Sequence, residues 1–243
     1  IASVSRLLLE TRSPDESTGA TVEIAGGKLL RCDESALASG TTISVRDLFY
    51  NVPARRKFLR TEGTELAHIA SLVTHYSLAH ASKSFELRHN GSELLNVTPV
   101  SEIRDRVYQV FGARTLEDLI ILEYHERTLT LGGGGDDDGV GDRVFALRGF
   151  VSRPQVQKLN RNSIYLFVNG RLIRDRLLMH AHTSAYHNLM PAGCYPFALL
   201  FLDCDGEEVD VNVHPSKTEV RFRHGSFAHD FVRDAIREVL MRS

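Results

Sequence analysis

Apolar and polar positions change period several times along the chain, and each change predicts an element. Residues 42 to 48 alternate, as a half-buried strand does. Across residues 62 to 79, Leu66, Ile69, Ala70 and Val73 recur at helical spacing, with Glu62 and Glu65 near the positive N-terminal end. Three pairs of short strand-like runs flank tight-turn dipeptides and predict hairpins at Gly26-Gly27, Asn90-Gly91 and Asn169-Gly170. Residues 1 to 10 read as helix or strand feeding a strand, the run Val4, Leu7, Leu8 and Leu9 being too short to decide between them. A helix begins near Ser101, with Ile103, Val107, Val110 and Phe111 as its apolar stripe and Gly112 as its stop. Strands follow at 119–124, 128–131 and 143–151. Asp175 suits the cap of a helix running through Leu178, Ala181, Ala185 and Leu189. Residues 197–202 are continuously apolar, as in a buried strand, and 208–213 alternate strictly. Residues 226–241 carry Phe227, Phe231, Ala235 and Val239 on one helical face. Helices mixed with several hairpins predict an α+β class, with mixed α/β sheets and not an all-parallel one.

Bulk numbers narrow the function without naming it. A chain of 243 residues with 42% hydrophobic and 25% charged residues can bury a substantial core. Its formal net charge of −2 provides no global field for nucleic acid, so any such surface is a local patch. Three cysteines without a Cys-x-x-Cys pair suit a reducing cytosol and speak against a disulfide framework or a structural zinc. The 11 histidines form no ligand motif, so no metal site is expected. No apolar run is long enough to span a bilayer, and no membrane partner is expected. Residues 132–142, rich in Gly and Asp, read as a flexible hairpin tip.

Two kinds of stretch carry candidate chemistry. Pro215 stiffens the turn in Asn212-Val-His-Pro-Ser-Lys217, so Lys217 is presented at a fixed place, where an ammonium meets a phosphate as a point charge. The same lysine also suits a solvated loop beside Glu219. Arg55, Arg56, Lys57 and Arg60 cluster around Phe58 and Leu59, and Arg171, Arg174 and Arg176 surround the Asn169-Gly170 turn. Cations on turns suit phosphate contacts. They also suit surface ion pairs, and Arg174-Asp175-Arg176 could knot internally.

Three long motifs, in order, carry a resemblance. Gly40-Thr41-Thr42 with Leu48-Phe49-Tyr50-Asn51-Val52-Pro53-Ala54-Arg55-Arg56-Lys57-Phe58-Leu59, then Tyr165 to Arg176, then Val209 to Phe222, resemble the MutL family of DNA mismatch-repair ATPases. The resemblance covers essentially the whole chain. It implies the later part of a GHKL ATPase sandwich over residues 1–99, followed by a ribosomal-protein-like transducer domain over 100–243. It implies ATP with Mg2+ as cofactors. Lys217 would touch the γ-phosphate and act in catalysis, Asn212 would support it on the same loop, and Thr41 would line the adenine pocket. Lys57, Arg60, Arg171, Arg174 and Arg176 would meet duplex DNA through its phosphates, without sequence specificity.

The implied parent is a slow ATPase in the cytoplasm, at the nucleoid. It closes as a homodimer and passes mismatch recognition from a MutS-like protein to a downstream nuclease and helicase. The family's catalytic glutamate, magnesium-holding asparagine and glycine-rich segment are expected upstream of Ile1, and the chain contains no Asp-x-Gly-x-Gly and no P-loop. The 243 residues alone are therefore expected to be inactive. The alternatives are a gyrase-B-type topoisomerase fragment, against which Asn51-Val-Pro-Ala and Asn212-Val-His-Pro speak, and a DNA-binding module with no nucleotide role.

Overall fold

In the computed structural model the described residues are 1–130, 141–191, 193–211 and 219–242. The expected hairpin tip at 132–142 therefore falls almost wholly outside them. Contacts divide the chain into two compact units, Ile1–His68 and Ile69–Ser243.

The first unit is built on a four-stranded antiparallel sheet. β1 (Arg6–Arg12), β2 (Gly19–Ala25), β3 (Lys28–Ser35) and β4 (Gly40–Arg46) lie in the order β3-β2-β1-β4. Gly26 and Gly27 both take positive φ, as the β2–β3 turn requires. After β4 the chain turns over residues 47–51 and then forms one helical turn, α1 (Pro53–Arg56), with Pro53 at its start, where a missing N–H costs nothing. Side chains paired across this sheet share a face, and Leu9 stands between Val22 and Ile43 on one of them. Ile43 nevertheless remains 60% exposed.

α2 (Glu62–Ala79) starts and ends where the helical period predicts. Its expected stripe needs correcting, because Ile69 is exposed, and the buried residues are His75, Ser77 and Leu78 at the far end.

The second unit continues with the hairpin β5 (Phe85–His89) and β6 (Ser92–Val97), turned at Asn90-Gly91 with positive φ at both positions. α3 (Ile103–Glu117) is two helical pieces joined across Gly112, which takes φ 81: the first piece stops at Gly112, as expected, and a further helical turn follows. The Arg106 guanidinium is fully buried. It donates to the carbonyls of Ser77 at 2.7 Å, Ala81 at 2.8 Å, Lys83 at 2.7 Å and Thr98 at 2.9 Å. These bonds hold α3 against the end of α2 and the β5–β6 hairpin, because a buried guanidinium is costly unless its protons are taken up.

A five-stranded sheet forms the centre. β7 (Leu119–Leu129), β8 (Arg143–Ser152), β9 (Ile164–Val168), β10 (Arg171–Ile173) and β11 (Ala198–Cys204) take the order β10-β9-β11-β8-β7. Only the β9–β11 pair is parallel. The two strands read from residues 119–131 are one strand, kinked by a register shift between Leu122 and His125.

Residues on β11 alternate between two cores. Leu200 and Leu202 join the cluster closed by α4 (Arg176–Ala185) and α5 (Gly225–Arg242), while Leu199 and Phe201 join the one with Leu78 and Val107 from α2 and α3. Burial on both faces explains the continuous apolar run. α4 ends before Leu189, which is 50% exposed, and Asn188 has already turned to φ 69. Of the alternating run 208–213, the described residues 208–211 contribute β12 (Val209–Asp210), paired with β13 (Arg221–Phe222).

Candidate functional site

In the first unit, Thr41 is exposed near the start of β4, and its hydroxyl lies 2.8 Å from that of Thr11 on β1. Both threonines border an open cavity of about 880 Å³, walled by the Arg12–Gly19 connection and by Ser39 and Gly40. Its lining sets the two hydroxyls and Arg12 among the acidic residues Asp15, Glu16 and Glu34. The sequence singles out Thr41 alone; Thr11 and Arg12 come beside it by cross-strand pairing about 30 residues apart.

The segment after β4 is anchored at several points. Asp47 and Phe49 take left-handed φ of 52 and 65, unusual for side chains with a Cβ. Three bonds fix this shape: Phe49 N donates to Val4 O at 2.7 Å, Asn51 Nδ2 to Ser3 O at 3.0 Å, and Val52 N to Phe49 O at 3.1 Å. A Cβ on Gly26 would sit 2.6 Å from the Tyr50 hydroxyl, so that glycine lets the β2–β3 turn approach the motif. α1 then presents Arg55 and Arg56, with Lys57 as its C-cap. Lys57 and Arg60 are exposed, and so is Phe58 between them, at 85%.

In the second unit, the Asn169-Gly170 turn is held by its own side chain. Asn169 Oδ1 accepts from Cys204 N at 2.9 Å, and Asn169 N donates to Leu202 O at 2.9 Å. Arg171 opens β10, Arg174 follows it, and Arg176 is the first residue of α4. All three are exposed, so one corner of the sheet carries three cations within six residues. The Asp175 side chain accepts from Leu178 N at 2.9 Å and so caps α4. The ion-pair knot considered for Arg174-Asp175-Arg176 is therefore not what Asp175 forms. Burial pushes the Asp175 carboxyl upward, and the capping bonds pull it back.

Asn212 and Lys217 lie outside the described residues. Their flanks do not. Val209, Val220 and Phe222 are buried in the core closed by α4 and α5, and Val211 packs against it. Glu208, fully buried, accepts from His224 Nδ1 at 2.8 Å and faces Arg143 Nε at 3.5 Å. Arg223 N donates to Glu208 O at 2.9 Å, below the two-pair ladder of β12 and β13. In the sequence Glu208 simply opens the alternating run 208–213, and no local signal marks it as buried.

Among the described residues no three His, Cys, Asp or Glu side chains come together as a metal site. No helix of the described residues is long and apolar enough to cross a membrane.

The architecture is the mixed α/β fold of MutL-type ATPase domains. The ATPase domain of the mismatch repair endonuclease MutL from Aquifex aeolicus superposes with a TM-score of 0.61 at 25% identity, over 99% of this chain and 77% of that one. The same Aquifex aeolicus domain complexed with ADP gives 0.60 at 24% identity, over 96% and 74%. An N-terminal domain of a DNA repair protein reaches 0.77 at 20% identity, which bears on the fold alone.

By sequence, residues 107–241 match the family described as DNA mismatch repair protein, C-terminal domain. The chain is 67% identical to the DNA mismatch repair protein MutL of Solibacter usitatus over 256 aligned residues and 51% identical to that of Acidobacterium capsulatum over 252. All of this chain is covered in both, and it spans 39% and 38% of those relatives. The chain belongs to the MutL family of DNA mismatch repair proteins.

Proposed function

We propose that residues 1–243 are part of the ATP-binding and ATP-hydrolysing region of a MutL-type mismatch repair protein. Residues 1–99 belong to its GHKL ATPase domain and residues 100–243 form its transducer domain. The observation that carries this reading is the 67% identity, along the entire chain, to a MutL protein. The Aquifex aeolicus MutL ATPase domain, similar in fold, has been solved with ADP, which supports a nucleotide as ligand.

In this reading ATP enters with Mg2+, and the cavity beside Thr41 receives part of the nucleotide. Lys217, supported by Asn212, meets the γ-phosphate. ATP and ADP differ only there, so a lysine on that phosphate makes the protein's conformation depend on which nucleotide is bound. It also offsets charge that develops during phosphoryl transfer. The parent is a slow ATPase that closes as a homodimer in the cytoplasm. It couples a MutS-like mismatch sensor to a downstream nuclease and helicase.

Lys57 and Arg60 on one unit, and Arg171, Arg174 and Arg176 on the other, bind duplex DNA through its phosphates. Being exposed and placed on turns or helix ends, they can release counterions without reading bases.

The test is Lys217→Ala in the full-length protein. Turnover should fall more than ATP affinity does, because an ammonium on the γ-phosphate contributes most where charge develops. Loss of affinity with turnover unchanged would refute the role given to Lys217.

A further inference from the structure

Arg176 opens α4 and His180 follows it by four residues, so the two stand one turn apart on the same face of the helix, both exposed. His180 is also held from the neighbouring helix. Its Nδ1 lies 2.9 Å from Nε2 of His229 on α5. His229 Nδ1 lies in turn 3.0 Å from Asp230 Oδ1. Asp230, His229 and His180 thus form one chain of bonds from α5 to α4. Arg237 Nη2 adds a second tie between the helices, donating to Ser184 O at 3.1 Å.

Counting protons along the chain fixes what His180 can offer. The His229 bond, with the Arg233 charge, holds the Asp230 carboxyl below the usual carboxylate range, so Asp230 is an anion that only accepts. His229 Nδ1 therefore carries a proton. In a neutral His229 the Nε2 is then a bare acceptor, and His180 Nδ1 is the donor across the 2.9 Å gap. That leaves Nε2 of a neutral His180 as a lone pair, which repels an anion. One added proton reverses this. It goes to His180 Nε2, breaks no bond of the chain, and creates a charged N–H donor one turn from Arg176. Ser184 Oγ, at 3.4 Å from both His180 nitrogens, is too far to commit either of them. Arg233, the nearest cation on α5, is taken by Asp230 at 2.7 Å and Asp234 at 2.8 Å.

We propose that His180 is a further phosphate-binding residue beside Arg176, and that it takes up one proton when a duplex backbone meets this corner. This rests on the reading of Arg171, Arg174 and Arg176 as a DNA surface. The group recognised is the phosphodiester, an anion that accepts a charge-assisted bond from Nε2–H and carries no base information. Asp230 and His229 are positioning residues, which hold the ring and decide which nitrogen is left for the phosphate. Because proton and phosphate favour each other's binding, the surface grips DNA more tightly as pH falls.

The experiment measures the affinity of the full-length protein for one duplex at about pH 6 and about pH 8, the range in which histidines change charge, with melting temperatures alongside. The parent should bind about three- to tenfold more weakly at the higher pH, and its slope of log affinity against log salt should be flatter there by up to about one unit. His180→Gln should bind at both pH values as the parent does at the higher one. His180→Arg carries a permanent charge and should bind at both as the parent does at the lower one. A purely structural His180 would lower the melting temperature in His180→Gln and leave the pH dependence intact, and that result would overturn the proposal. So would a parent whose affinity ignores pH. If His180→Gln does not fold, His180→Arg decides alone, and a pH dependence that survives in it overturns the proposal. Arg176→Glu separates the two levels of the argument. If it leaves affinity and salt slope unchanged, the DNA surface itself has failed and the role of His180 falls with it. If it weakens binding while His180→Gln keeps the parent's pH dependence, the role of His180 alone has failed.

Discussion

The Asp175 carboxylate accepts the Leu178 amide at 2.9 Å and is thereby committed to the start of α4. Arg176, its neighbour, is exposed on that first turn. The two residues thus have separable roles, one on the helix and the other outside it. Arg176→Glu in the full-length protein should weaken duplex DNA binding and leave nucleotide binding alone. The slope of log affinity against log salt should flatten by roughly one unit for one lost phosphate contact. Matched and mismatched duplexes should suffer equally. Asp175→Ala is the control: loss of the cap costs about 1 kcal/mol of stability and should leave the salt slope as it was. An unchanged slope in Arg176→Glu would remove this residue from the DNA surface.

A second prediction concerns acid. His182 is fully buried, edge-on to Tyr186 with centroids 5.4 Å apart, and neither ring nitrogen has a partner among the described residues. Burial holds its pKa down at about 3 against an ordinary 6.5. His75 is lowered to about 4, first by burial and then by the Arg174 charge. In this window the unfolded chain binds protons that the folded one refuses. Stability is therefore full above about pH 6.5 and is lost progressively as pH falls toward 4 and 3. His182→Leu removes the unpaired nitrogens at similar volume. It should be neutral or stabilising at pH 7 and should flatten the loss between pH 6.5 and 4, as read by urea unfolding at several pH values. An acid limb as steep as in the parent would show that His182 is not its source.

A third prediction concerns Gly149, in the middle of β8 at φ +146. A Cβ there would sit 2.0 Å from the Leu199 carbonyl oxygen on the neighbouring strand β11. Neither the dihedral nor the spacing can relax without moving the central sheet. Gly149→Ala should cost about 3 kcal/mol or more, measured as a shift of the unfolding midpoint. A loss under about 1 kcal/mol would mean that β8 and β11 part more easily than their pairing implies.

Much of the frame was legible because its signals are local. The helical period gave α2 to the residue, and the glycine-containing turn dipeptides marked three hairpins. What failed was set by tertiary packing. The bulge in β7 made one strand look like two. α4 stopped short of its own stripe, since Leu189 finds no core to enter. Arg106 reads in the sequence as an ordinary helix-surface cation, because its four carbonyl acceptors lie 8 to 29 residues away. At the candidate site, the motifs singled out Thr41 and the basic turns. Thr11 beside Thr41, and Glu208 bonded to His224 beneath the β12–β13 ladder, became visible only when separate segments met.

The strand order holds a consequence for how the chain is made. β8 and β9 are separated in space by β11, which leaves the ribosome some 30 residues after β9. Until residue 204 has emerged, the inner edges of β8 and β9 have no mate, and each bares main-chain hydrogen-bonding groups beside apolar side chains. A nascent chain halted in that interval would present two adhesive edges at once, which is the state most prone to wrong pairing with a neighbouring polysome product. The last inserted strand is thus also the one that makes the protein safe to release.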